Sequence, residues 1–395
     1  MRLTVIGMIS GTSYDAADAV AAEFDLNGAE LVCRPLGMVS EDLPEALRAR
    51  IAAALPPRPT TMEEVCRLDT ELGQFFGRVA ARAVNELAGG RADFVVSHGQ
   101  TLFHWVDGGH ALGTLQLGSP AWIARATGVA TITDVRARDL TRGGHGAPLA
   151  STLDALLLLG DAVRRGALNL GGIANITVRG PDGEIIAYDI GPANALIDAA
   201  VAEATGGAER MDRDGARAAR GRTHPGLLAA LLAEPYYQLP PPKSTGKELF
   251  HNDYTRQALR AAGLGDGALG TDDLVATLTE LTARLVADSC REHQVAELVV
   301  GGGGIRNPVL MARIAALSEP ATIRPVDDFG LPAQAKEAYL MALLGYLSAH
   351  GLPGTIPSAT GAEAGSILGS FTPGSAPLTL PPPATVTPTR MRVIA

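Results

Sequence analysis

Ser10-Gly11-Thr12-Ser13 closes the apolar run that starts at Leu3, and the acids Asp15 and Asp18 follow directly. Gly11 lets a ligand approach the main chain. The Thr12 and Ser13 hydroxyls and successive amides of such a turn can surround phosphate oxygens. Two acids would repel bare phosphate, so beside one they call for a magnesium ion. The same residues also suit an ordinary hairpin with Asp at its turn.

Three further small-residue turns follow apolar runs. They are Asn169-Leu170-Gly171-Gly172-Ile173-Ala174-Asn175, then Asp189-Ile190-Gly191-Pro192-Ala193-Asn194, then Gly301-Gly302-Gly303-Gly304 with Arg306-Asn307-Pro308. Glycine at a strand end costs entropy unless close approach is required. None of these fits G-x-x-x-x-G-K-[ST]; the nearest, Ser244-Thr245-Gly246-Lys247, lacks the upstream glycine and the final hydroxyl. Arg306 spoils the dinucleotide pattern G-x-G-x-x-G in the glycine run.

Asp134 ends the apolar run VATIT, with Arg136, Arg138 and Asp139 after it. A carboxylate there is placed for general-base work, and an Asp–Arg ion pair reads equally well. His98-Gly99-Gln100-Thr101 ends another run, with His104 and His110 beyond. The His-x5-His-x5-His spacing is neither a helix face nor a zinc signature; donors to a sugar hydroxyl or a carboxylate fit it better.

The elements that must position these residues are legible in outline. LTVIGMIS and ADAVAAEFD read as two strands joined at GTSYDAAD. Residues 61–88 read as an amphipathic helix, with Thr61 and Glu64 as a capping box and Val65, Leu68, Leu72, Phe75, Val79 and Ala83 as its apolar stripe. ADFVVS and GVATIT read as buried strands with reactive residues at their carboxyl ends, where open α/β sheets carry ligands. From about residue 167 the style repeats, with strands and tight turns, a loop then a helix over 191–207, a long helix from Thr271, and strand–glycine turn–helix over 296–317. Two related α/β halves account for this.

The chain has 395 residues, 46 % hydrophobic and 19 % charged, with net charge −9. That balance argues against non-specific nucleic-acid or anionic-membrane binding. Cys33, Cys66 and Cys290 are distant from one another and odd in number, so they read as reduced core residues of a cytoplasmic protein. The longest uncharged stretch contains AYLMALLGYLSA, short of a ~20-residue membrane span, and reads as a buried helix. The proline-rich segment 371–395 reads as an extended, mobile tail.

Taken together, GTSYDAAD, SHGQT, TDVRARD, GGHGAPLAS, LNLGGIANIT, YDIGPANALID, PPKSTGKELF, VVGGGGIRNP and KEA resemble, in this order, the anhydro-N-acetylmuramic acid kinases over about residues 5–370. The resemblance implies two ribonuclease-H-like domains of the actin-like ATPase class, 1–160 and 161–370, with the last helix free to pack back on the first domain and nucleotide in a cleft between them. It implies ATP and Mg2+, and a homodimer. It also implies a reaction in which the 1,6-anhydro bridge of 1,6-anhydro-N-acetylmuramic acid is hydrolysed and O6 is phosphorylated, in peptidoglycan recycling. Asp134 then matches the catalytic carboxylate. Gly11, Thr12, Ser13, Tyr14, Asp15, Ala16, Ala17 and Asp18 match the phosphate loop. Asn169, Gly171, Gly172, Asn175, Asp189, Gly191, Asn194, Gly302, Gly303 and Asn307 match the other nucleotide turns, with Asp15 and Asp189 at the metal. His98, Gln100, Arg136 and Glu337 fall on the substrate side. The chain departs from the usual family residues at Ile9, Ala16, His145, Ala193 and Gln334. The rival readings are an actin-fold kinase for an ordinary amino sugar, and a silent nucleotide-binding regulator.

Overall fold

The computed structural model describes residues 2–395 apart from Thr12, Asp161, Lys247, Glu248 and Asp266. Its strands are β1 (Leu3–Ser10), β2 (Ala16–Asn27), β3 (Glu30–Asp42), β4 (Phe94–Ser97), β5 (Gln100–Asp107), β6 (His110–Leu117), β7 (Ala130–Thr133), β8 (Arg165–Leu170), β9 (Ile173–Arg179), β10 (Ile185–Pro192), β11 (Glu297–Gly301), β12 (Thr322–Pro325), β13 (Ser370–Thr372) and β14 (Arg390–Val393). Two compact units divide the chain. One is Met1–Leu157 with Phe329–Ala395, the other Leu158–Asp328.

The first unit's main sheet runs β13-β7-β4-β1-β2-β3-β14, and the second unit's runs β10-β9-β8-β11-β12. In both, an antiparallel three-strand meander (β1–β3, β8–β10) is extended on its first strand by two parallel strands (β4 and β7, β11 and β12). This shared order is the ribonuclease-H-like one, and a pair of such units is the actin-like ATPase architecture. In the first unit the hairpin β5–β6 forms a separate two-stranded sheet.

The helix Lys336–Ala349 is the first unit's central packing element. Every residue after Glu337 is buried, because its sequence is apolar all round rather than striped. Leu343 and Leu344 are fully buried, each worth ~1.5–3 kcal/mol. The helix backbone lies directly on β1 at Gly7, where a methyl group would overlap the Ala338 carbonyl and the Ala342 amide.

The amphipathic helix is Met62–Leu87, with Leu68, Leu72, Phe75, Phe76, Val79 and Ala83 buried. Thr61 Oγ1 accepts from the Glu64 amide at 3.1 Å. Half of the expected capping box is replaced, because the Glu64 carboxylate instead accepts from Arg50 Nε at 2.7 Å.

The expected domain division and the mobile tail are corrected. Residues from Phe329 onward belong to the first unit. Beyond Phe371 the chain is tied down: β13 pairs with β7, and β14 pairs in parallel with β3 from Arg390↔Glu30 to Val393↔Cys33. Between them the Pro382 carbonyl accepts from His350 Nδ1 and the Ala384 amide donates to the His350 carbonyl. Prolines suit such a segment because it crosses the surface without sheet hydrogen bonds until residue 390. Cys33 and Cys290 are buried as expected, whereas Cys66 lies on the exposed face of its helix.

Candidate active site

β1, β4 and β7 are adjacent and parallel, so their carboxyl ends emerge along one edge of the sheet. That edge carries the Gly11–Asp15 turn, His98–Gln100 and Asp134–Arg136. At the first, the Tyr14 amide closes a turn on the Gly11 carbonyl at 3.0 Å, and Tyr14 has φ 43°. Ser13 and Asp15 are exposed; Asp15 Oδ1 lies 3.3 Å from Arg48 Nη2. Ala16 and Ala17 already belong to β2, paired with Asp42 and Glu41, so the alanine at 16 meets no conformational obstacle. Asp18 accepts from Ser40 Oγ at 2.6 Å; burial raises its carboxyl above the ordinary range, against the pull of that bond. Thr12 lies outside the described residues.

Gln100 is buried, and its carboxamide is engaged by the turn. Ser10 Oγ donates to its Oε1 at 2.7 Å, and its Nε2 reaches the Gly11 carbonyl at 3.4 Å. It therefore holds the Ser10–Gly11 backbone. His98 is buried too. Its Nε2 accepts from Arg136 Nε at 2.8 Å, which places its proton on Nδ1, 3.1 Å from the Gly99 carbonyl. Burial, and then the Arg136 charge, push the imidazole down to about 3.

Asp134 follows β7 with its side chain exposed and φ 56°, a left-handed backbone. A non-glycine residue there, even Asp, is uncommon and clusters at functional sites. The next turn is fixed by Asp139, fully buried, whose carboxylate accepts from the Gly146 amide and Thr360 Oγ1. Arg136 Nη1 donates to the Gly146 carbonyl at 2.6 Å. Glu337 keeps a face open to water, yet protein surrounds it otherwise. Burial raises its carboxyl, with Asp18 adding to that, while Lys336 and Arg136 oppose it.

In the second unit the predicted polar residues fall in one cross-strand row, Asp189↔Asn175↔Asn169↔Gly301, over β10, β9, β8 and β11. Three of the glycine turns meet beside it. A methyl at Gly302, where φ is 86°, would lie 2.5 Å from Asn169 Oδ1 and 2.8 Å from the Leu170 carbonyl. Asn194 Nδ2 donates to the Gly171 carbonyl at 2.8 Å, and the Ala193 and Ala195 amides to Gly172. Asn307 Oδ1 caps the helix Pro308–Ser318 by accepting from the Val309 and Leu310 amides. The side chains of Asn194 and Asn307 thus shape the turns. Gly191 marks a bulge in β10. Ala193, where the family usually has glycine, sits at φ −114° and ψ −103°, outside the helical and extended regions.

Asp189 Oδ2 accepts from Ser244 Oγ and from the Thr245 amide, each at 3.0 Å. Sequence reasoning did not assign these two partners; their signal was the incomplete K-S-T-G-K motif. Asp15 in the first unit and Asp189 in the second each offer carboxylate oxygens, the donor type that a hard Mg2+ takes. Among the described residues no group of three or more His, Cys, Asp or Glu is assembled. Other contributors that the sequence did not reveal are Ser40 on Asp18 and the buried pair Lys336–Asp154 beside Glu337.

A family model for anhydro-N-acetylmuramic acid kinase matches residues 3–374. The chain belongs to the anhydro-N-acetylmuramic acid kinase family. Relatives carrying that name include one from Streptomyces coelicolor, 55 % identical over 392 residues and covering 99 % of each chain. One from Rhodococcus erythropolis is 54 % identical over 380 residues, covering 94 % of this chain and 95 % of its own. The protein is therefore a kinase. The Streptomyces match runs through the proline-rich segment as well, in keeping with β14 being part of this kinase's first sheet. Among the described residues no helix is long and apolar enough to cross a membrane.

Proposed function

We propose that this kinase takes 1,6-anhydro-N-acetylmuramic acid, ATP and one water to N-acetylmuramate 6-phosphate and ADP, as a cytoplasmic homodimer serving cell-wall recycling. The observation that carries the reading is Asp134. It stands exposed at the carboxyl end of β7 on a left-handed backbone, at the position matching the family's catalytic carboxylate.

The bridging O6 is an ether oxygen with no proton to remove. Asp134 takes the proton of a water that attacks C1 from the side opposite O6. The C1–O6 bond breaks, and its electron pair leaves on O6. O6 then bonds to the γ-phosphorus as the bond to the β-phosphate oxygen breaks and ADP departs. The phosphoryl group takes the place of the proton that a glycosidase's general acid would supply, and C1 inverts.

His98 holds Arg136, which with Glu337 lines the substrate side, while Gln100 fixes the backbone of the Gly11–Asp18 phosphate loop. The turns around Asn169–Asn175, Asp189–Asn194 and Gly302–Asn307 receive the nucleotide. Magnesium held by Asp15 and Asp189 would offset phosphate charge.

Turnover in oxygen-18 water tests this. The expected product is a sugar 6-phosphate with one heavy oxygen at C1, read before the anomeric hydroxyl exchanges. ADP formed only with an open amino sugar, without water incorporation, would defeat the reading. Analytical ultracentrifugation checks the dimer.

A further inference from the structure

The Gly11–Asp15 turn is braced from outside its own hairpin. The Leu43 amide donates to the Asp15 carbonyl at 2.8 Å, and Arg48 Nη2 lies 3.3 Å from Asp15 Oδ1. Both holds come from one element, the helix Glu45–Ala54 and the residues that lead into it. That helix is itself fixed. Leu47, Ile51 and Ala54 are buried. Arg50 donates from Nε to Glu64 at 2.7 Å and from Nη1 to Glu71 at 2.6 Å, both on the helix Met62–Leu87.

Arg48 is not an ordinary surface arginine. Two long side chains that meet in water gain little, because ordering them offsets the attraction. The Arg48 side chain is only 33 % exposed. Its Nε is sealed from water, with no hydrogen-bond partner among the described residues. A desolvated donor is costly, so its surroundings impose this pose. What it faces is a strained backbone. Tyr14 holds φ 43° while its side chain packs on the core beneath, and such a conformation persists only where neighbours over-determine it. The core contact at Tyr14, with the backbone and side-chain holds on Asp15, does so. The edge is also acidic, since register sets Asp42 and Glu41 opposite Ala16 and Ala17, with Asp18 next along β2. A phosphate reaching the loop meets these carboxylates, and Arg48 is a cation already in contact with Asp15.

We propose that Arg48 is a positioning residue of the nucleotide site: it holds Asp15, and with it the Tyr14–Asp15 turn, in the shape that receives the phosphates, and it offsets the Asp15 charge there. The proposal rests on the nucleotide reading of the Gly11–Asp18 loop given above. Arg48 acts through Asp15 and needs no contact of its own with the ligand.

The test is calorimetric binding of ADP without magnesium or sugar, with thermal melts beside it. Arg48→Met should weaken ADP about 5–10-fold, because the Asp15 carboxylate then faces the phosphates uncompensated and untethered. Its melting temperature should stay within about 2 °C of wild type, as for a partly exposed ion pair. A single contact through Nη2 needs a charge rather than a fork, so Arg48→Lys should bind ADP within about 2-fold of wild type. In the Asp15→Asn background Arg48→Met should change the affinity less than about 2-fold, since no carboxylate is left to hold. An unchanged affinity in Arg48→Met would overturn the proposal. So would an equal loss with and without the Asp15 carboxylate, which assigns Arg48 to the phosphate itself. A loss in both Arg48 variants that tracks a fall in melting temperature would also overturn it, by making Arg48 a brace of the fold alone. Coupling between Arg48 and Asp15 in a protein that forms no sugar phosphate would uphold the proposal and defeat the reaction.

Discussion

Lys336 Nζ lies 2.5 Å from Asp154 Oδ1, with both side chains almost wholly buried, one residue before Glu337 in the chain. The pair pins the start of the long buried helix to the segment that ends the first unit's opening stretch. Lys336→Met alone removes the cation facing a buried carboxylate and should cost ~3–5 kcal/mol. Combining it with Asp154→Leu should restore most of that. Urea unfolding of the three proteins decides it; a single variant within ~1 kcal/mol of wild type would mean that the pair does not hold the helix.

Asp134→Asn should keep the fold, because Asn tolerates the left-handed backbone as Asp does. It cannot accept the water's proton. Turnover should fall by ~10³ or more while the nucleotide dissociation constant stays unchanged. Retention of a tenth of the activity would take the base role away from Asp134.

His98 is neutral in the folded protein, with its imidazole pushed down from 6.5 to about 3. Below pH 6.5 the unfolded chain binds a proton that the folded one refuses. Stability is therefore complete above that pH and falls as pH drops toward 3, by ~1.4 kcal/mol per unit. His104, His293 and His350 are also lowered, chiefly by burial, and act in the same direction. The comparison is thus between wild type and His98→Gln: proton uptake on unfolding at about pH 5 should drop by about one. No drop would place the proton on His98 in the native state.

Gly302→Ala would press a methyl group onto Asn169 Oδ1 and the Leu170 carbonyl at a φ of 86°. The strain should cost ~1–3 kcal/mol and weaken nucleotide binding about tenfold or more, since Asn169 and the glycine turn shift together. An unaltered melting temperature and nucleotide affinity would show that the turn has slack.

Much of this arrangement was legible because strand ends announce themselves. An apolar run that stops at Gly, Asp or His gives both the strand and its tip, which is how Asp134, His98 and the Asp189 turn could be placed. β3 was obscured by Pro35 and Gly37, residues that usually end a strand; a bulge in β3 itself at Leu36, opposite Ala21–Ala22, accommodates them. β14 is a short strand after a proline-rich run, and its partner strand begins at Glu30, beyond the reach of any local pattern. Asn194 and Asn307 read as nucleotide residues, and their side chains brace the turns instead of standing free. A polar residue after glycine reads as a ligand contact whether its side chain faces the ligand or braces the loop. The Lys336–Asp154 pair was hidden for the opposite reason, since charges rarely enter an apolar helix buried on all sides.

The second unit is one continuous stretch, whereas the first is completed only by residues 329–395. On the ribosome the order of completion is therefore the reverse of the order of synthesis. β1, β2 and β4 leave the exit tunnel early, with the bed for the Lys336–Ala349 helix uncovered. They stay so while the whole intervening unit is made and can fold. A nascent chain from which only residues up to about 330 have cleared the tunnel would carry a finished second unit and an open, apolar sheet, the state in which a chaperone has most to cover.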